Sequence, residues 1–129
     1  MTFLTKSDLL KEAVRRYLDF KVNVNGEERT CRIQSLTEKE RSNYEAAMQL
    51  ATGKRDKAAR MRDAKRRLIV LCVVDENNNP LLTMADVKEL ENVDSQTTAT
   101  IFTKCIDHVG FSDEDVEDLA GNSEGIDAD

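Results

Sequence analysis

The sequence predicts an α+β, mostly helical single domain, a small β-hairpin element with a helical bundle packed on or beside it. One segment alternates apolar and polar residues with period two and is interrupted by Asn25-Gly26, whereas most other apolar residues recur at helical spacing. Charged residues make up 34% and aromatics 5%, with no tryptophan, so the surface is well solvated and the core must be mainly aliphatic. At 129 residues the chain can bury one modest core, not two.

The elements follow in order. Residues 8–18 place Leu10, Ala13, Val14, Tyr17 and Leu18 on one helical stripe, with Thr5 or Ser7 available as cap, and predict a short amphipathic helix. Phe20, Val22 and Val24 then alternate with polar residues, Asn25-Gly26 tolerates positive φ, and Cys31 and Ile33 resume the alternation: a β-hairpin. Thr37 and Glu40 form a capping box that opens a helix carrying Tyr44, Ala47, Met48 and Ala51 inward, and Gly53 is placed to end or kink it. Ala58, Met61, Ala64, Leu68, Leu71 and Cys72 lie on the stripe of a second long helix, although Val70, Val73 and Val74 also permit a strand.

Residues 75–80, DENNNP, hold turn formers and the only proline, and so predict a loop. Thr83 with Asp86 caps a short helix to about residue 91, and the next helix begins near Ser95. In it Phe102, Cys105, Ile106 and Val109 repeat at i, i+3, i+4 and i+7, with Gly110 placed to terminate it in the left-handed conformation. Ser112 and Asp115 cap a last helix closed by Gly121. Residues 1–121 are thus expected to form the domain and 122–129 a disordered acidic tail, because Ile126 alone cannot offset the entropy of ordering.

The net charge of −6 disfavours a protein that neutralises phosphates, so nucleic acid is not an expected partner. The first ten residues lack the pattern of a signal peptide and the longest apolar run, residues 68–74, is too short to span a bilayer, which places the expected protein in the cytoplasm without a membrane partner. Cys31, Cys72 and Cys105 are far apart and set among apolar neighbours, as buried free thiols are. Asp75, Asn77, Asn79 and Asp86 take positions 1, 3, 5 and 12 of a calcium loop, but position 6, which needs glycine, is Pro80. His108 is the only histidine and reads as a satisfied helix-end residue; the five glycines are scattered, and no nucleophile has a base at motif distance. No catalytic residue, cofactor or metal follows, and the chain is not expected to be an enzyme.

The informative constellation is electrostatic. Residues 54–67 hold eight basic residues and two acids, whereas residues 105–129 hold nine acids and neither lysine nor arginine. At 100° per residue Arg55, Arg62 and Arg66 fall on one flank of the apolar stripe and Arg60 and Arg67 on the other. Arginines bordering a buried seam are typical of an interaction helix, since the planar guanidinium suits protein interfaces. The plainer alternative is a solvated helix whose arginines pair with nearby acids, some of them in residues 113–120.

The order of segments adds to this. RRLIVLCVVDE (66–76), then NPLLTMADVKEL (79–90), then GFSDEDVEDLAGN (110–122), preceded by a short helix, a strand pair and the helix start LTEKER (36–41), resembles the phage tail assembly chaperones over residues 5–121. The resemblance implies a protein, in its short form, that binds and solubilises the tape measure protein in the host cytoplasm, helps tail tube protein polymerise around it, and is absent from the mature virion. The partners implied are the tape measure protein and the tail tube protein, with homo-oligomers also allowed; the family supplies no catalytic residues. A structural tail component, such as a completion or connector protein, and a small nucleic-acid-associated regulator using the helix at 54–67 are the competing readings.

Overall fold

Alternation along the hairpin decides the sheet. In the computed structural model, which describes residues 1–12, 14–50, 57–112 and 115, β1 (Tyr17–Val24) pairs antiparallel with β2 (Glu27–Gln34) without interruption, Tyr17 opposite Gln34 and Val24 opposite Glu27. The reversal between them uses Asn25 at φ 55° and Gly26 at φ 82°, the two positive values that a two-residue hairpin turn requires, and the Asn23 side chain accepts from the Gly26 N–H at 2.9 Å. A two-residue β3 (Val73–Val74) adds to the far side of β2, giving the order β1-β2-β3.

Three longer helices accompany this sheet: α1 (Glu38–Leu50), α2 (Lys57–Cys72) and α3 (Ser95–Val109). The Thr37–Glu40 capping box forms as the sequence predicts, with Glu40 N–H donating to Thr37 Oγ1 and Thr37 N–H to the Glu40 carboxylate. The Asp94 carboxylate caps α3 by accepting from the N–H groups of Gln96 and Thr97, and Gly110 at φ 97° ends it. Ser112 and Asp115 exchange backbone and side-chain hydrogen bonds at 3.0 Å, again as predicted. The rest of that last helix, the kink expected at Gly53 and the tail at 122–129 lie outside the described residues.

Two expectations are corrected. The predicted helix over 8–18 shrinks to one capped turn, Asp8–Glu12, opened by Thr5, whose hydroxyl accepts from Asp8 N–H. Tyr17 and Leu18 leave it to join β1, because pairing with Gln34 and Ile33 satisfies their strand and Leu9, Leu10 and Val14 find no core to enter, remaining exposed. The single helix expected from Thr83 to about 91 is two short 3₁₀ turns, Met84–Asp86 and Lys88–Asn92, in a stretch too short to propagate α-helix. The second long helix runs into the apolar segment as expected, α2 reaching Cys72; of the three valines that also permit a strand, Val73 and Val74 form one and Val70 stays helical.

The core lies between one face of the sheet and the helices. Ile33 of β2, Tyr44 and Met48 of α1, Leu68 and Cys72 of α2, and Phe102 and Cys105 of α3 meet there, closed at one end by Phe111. Fully burying each large aliphatic or aromatic side chain contributes about 1.5–3 kcal/mol. The Tyr44 hydroxyl donates to the Ala64 carbonyl at 2.7 Å, so its polar tip is satisfied; burial pushes the phenol well above its ordinary pKa. Cys72 and Cys105 are buried free thiols, with Cys105 pushed upward by its hydrogen bond to Cys72 and by desolvation. Cys31 departs from expectation in being only half-buried; burial raises its thiol to about 11, which leaves little thiolate to react.

Arg15 and Arg16 stitch the N-terminal segment to this body. Arg15 holds the Glu40 carboxylate through two bonds of 2.8 and 3.0 Å and also donates to the Ser35 carbonyl, tying the end of β2 to the start of α1. Arg16 donates to the His108 carbonyl at 2.8 Å while the His108 Nε2–H donates to the Arg16 carbonyl at 3.1 Å, so the histidine is a satisfied helix-end residue as predicted.

The pair with Arg15, and then the Thr37 backbone bond, hold the Glu40 carboxyl below its ordinary value of 4.5. A depressed carboxylate contributes stability that is present above the unfolded pKa and lost as pH falls through the folded one. The Glu40→Gln variant is therefore expected to be less stable than the parent at neutral pH, with the difference closing as pH drops below about 4.5. Urea unfolding at a series of pH values measures this; a constant difference down to the acid limit would assign the loss to packing instead.

Candidate partner-binding site

Of the five arginines singled out in the sequence, the structure brings Arg62 and Arg66 together and sets Arg67 apart. α2 is held by Ala64, Leu68 and Cys72 in the core, which turns Arg62, Lys65 and Arg66 toward one side. These three line a groove of about 870 Å³ whose floor is Ile69, Leu90, Val93, Phe102 and Ile106. Arg66 reaches across it to Glu91 at 3.5 Å, and the Lys65 ammonium stands 5.4 Å from the centre of the Phe102 ring. Arg62 is exposed, and no described residue forms an ion pair with it.

Arg67 lies on the opposite flank, 3.5 Å from Asp63 one turn earlier, beside a small cleft with Tyr44, Leu71 and Met84. Arg60 belongs to α2, but its side chain, like all of Arg55, lies outside what the structure describes. For Arg66 and Arg67 the acids that answer the charge are thus Glu91 and Asp63. The Arg66–Glu91 pair, open to solvent on its Glu91 side, contributes only about 0–1 kcal/mol and separates at little cost.

A second feature was not read from the sequence. Behind the groove a mostly apolar cleft of about 550 Å³ opens between the hairpin tip and the start of α3, lined by Val22, Val24, Cys31, Val73, Leu82 and Ile101 among others. The two cavities share Ile69, Leu90 and Val93, so they adjoin as one trough. Leu81 and Val93, which line it, are exposed. The only sequence signal was the Leu81-Leu82 pair after Pro80, apolar residues with no helical or strand period to bury them.

The calcium-like spacing resolves into ordinary turn chemistry. One carboxylate oxygen of Asp75 accepts from the N–H groups of Asn77 and Asn79 at 2.8 and 3.0 Å, and the Asp86 carboxylate accepts from Thr83 N–H. Among the described residues no cluster of three His, Cys, Asp or Glu stands ready for a metal, and no helix is long and apolar enough to cross a membrane. Comparison with protein-family models, with curated proteins and with solved structures finds no match for this chain.

Proposed function

We propose that this protein is a tail assembly chaperone of a long-tailed bacteriophage or prophage, one that covers the tape measure protein in the host cytoplasm until tail tube protein replaces it. The observation that carries the reading is the apolar trough bordered by Arg62, Lys65 and Arg66. Such a surface suits the apolar stripe of a helical partner with acid residues along its flank, and a tape measure protein presents long helical stripes of that kind before the tube encloses it. The segment order of residues 5–121 points the same way. The reading involves no catalytic residue and no cofactor, and its partners are proteins, not nucleic acid or membrane.

The test is a pulldown from cells expressing the neighbouring phage open reading frames. The chain is expected to copurify with the tape measure protein and to be missing from mature virions. Charge reversal at Arg55, Arg62 and Arg66 is expected to weaken that capture with the fold intact, because Arg62 is exposed and the ion pair of Arg66 with Glu91 contributes only about 0–1 kcal/mol to stability. Capture unchanged by the triple variant would remove this helix from the interface. The chain at stoichiometric levels in purified virions would favour a structural tail component, and a gel shift that survives near-physiological salt would favour a nucleic-acid-associated regulator.

A further inference from the structure

The chain treats the two edges of its sheet differently. β3 is two residues long, and the neighbouring segment bridges Val74 through Pro80, a residue with no N–H to offer. β1 is eight residues long, keeps register with β2 throughout, and contains neither proline nor bulge. Among the described residues no backbone group outside β2 bonds to it. Ser35 N–H donates to the Arg16 carbonyl at the continuation of this ladder, so the even-numbered residues of β1 turn their backbone groups to β2. The N–H and C=O of Tyr17, Asp19, Lys21 and Asn23 therefore point out of the open edge.

We infer that this edge is a self-complementary interface, at which β1 pairs antiparallel with β1 of a second copy across a two-fold axis through Phe20 to make one six-stranded sheet. Only registers that match odd residues with odd residues join the free backbone groups, and their symmetric forms can be compared directly. Centring the axis on Phe20 sets Asp19 opposite Lys21 of the second copy, and Lys21 opposite its Asp19. It also sets Leu18 opposite Val22 on the apolar face. Centring on Asp19 opposes two carboxylates, and centring on Lys21 opposes two ammonium groups; directly opposed like charges destabilise a strand pair. Moving the axis further shortens the overlap.

Both charged side chains keep bonding capacity for a second copy. Asp19 accepts from Arg32 of β2 at 2.6 and 3.0 Å and Lys21 donates to the Thr30 hydroxyl of β2 at 2.8 Å; a carboxylate has about four acceptor sites and an ammonium three donors, so each can also meet its opposite across the edge. Tyr17 and Leu18, exposed in the single copy, gain cover in the pair.

Sedimentation of the full chain over a range of concentrations tests this. The parent is expected to show a monomer–dimer equilibrium. Lys21→Glu, which sets two like-charge pairs across the axis, should raise the dimer dissociation constant about tenfold or more, and the double variant Asp19→Lys/Lys21→Glu, which restores opposite charges in exchanged positions, should recover most of the loss. Lys21→Pro removes an outward N–H that β2 does not use, and should abolish the dimer while the circular dichroism of the monomer persists. A parent that stays monomeric up to its solubility limit, or a dimer indifferent to Lys21→Glu, overturns the inference even if the proline variant fails to fold. Tape measure capture by the monomeric variants, measured separately, keeps this result distinct from that of the chaperone proposal.

Discussion

Truncating Leu68 to alanine is expected to lower the unfolding free energy by about 2–5 kcal/mol. Leu68 is fully buried in α2 and stands in the core beside residues of α1, α3 and β2. Removing its branched end forfeits transfer free energy and leaves a cavity that cannot collapse, because α2 is held at its far end by continuation into β3. Alanine is the better helix former, so any change in helix propensity opposes the loss and the packing contribution is at least as large as the observed one. Against a total of about 5–15 kcal/mol for a domain, such a loss brings the protein close to unfolding at growth temperature. Urea unfolding gives the number, with Leu81→Ala as control: Leu81 is 58% exposed, and its truncation is expected to cost no more than about 0.5 kcal/mol. A Leu68→Ala loss below about 1 kcal/mol would mean that this core is not packed as described.

Legibility in the sequence tracked how local each determinant is. Asn25-Gly26, the Thr37–Glu40 box, Gly110 and the Ser112–Asp115 pair act through bonds closed within a few residues, so spacing alone located them, and each forms. The failure over residues 8–18 arose where two periods overlap: Leu10, Val14, Tyr17 and Leu18 fit a helical stripe, while Leu18, Phe20, Val22 and Val24 fit a strand. A partner fifteen or more residues away decided it, since Ile33 and Gln34 complete a ladder that the helix could not replace. The basic flanks of α2 were legible because a helix sorts its own residues at 100° each. The trough was not, for it exists only where the hairpin tip, the 3₁₀ turns and α3 come together, and none of these announces its neighbours. Arg66 and Arg67 find acids on Lys88–Asn92 and on α2 itself, pairs that the acidic residues 113–120 had offered to explain.

From the proposed chaperone function it follows that deleting the gene from the phage that carries it should stop tail formation, leaving heads without tails and tape measure protein aggregated or degraded. The reasoning is kinetic. A long helical partner made before its enclosing tube exposes apolar stripes continuously, and at cellular concentration these find one another faster than tube subunits assemble around them. A cover with a trough floored by Ile69, Leu90 and Val93 masks such a stripe, while a rim of exposed charges lets go under competition, since its ion pairs bind weakly and are screened by salt. Reversibility matters as much as affinity, because a cover that failed to leave would block the tube. Supplying the parent chain from a plasmid should restore tails, and the Arg55, Arg62 and Arg66 reversal should restore them poorly while accumulating to normal levels. Electron microscopy of lysates and the soluble fraction of the tape measure protein read the two arms. Intact tails in the deletion, or complete rescue by the reversed variant, would detach the trough and its basic border from tail assembly.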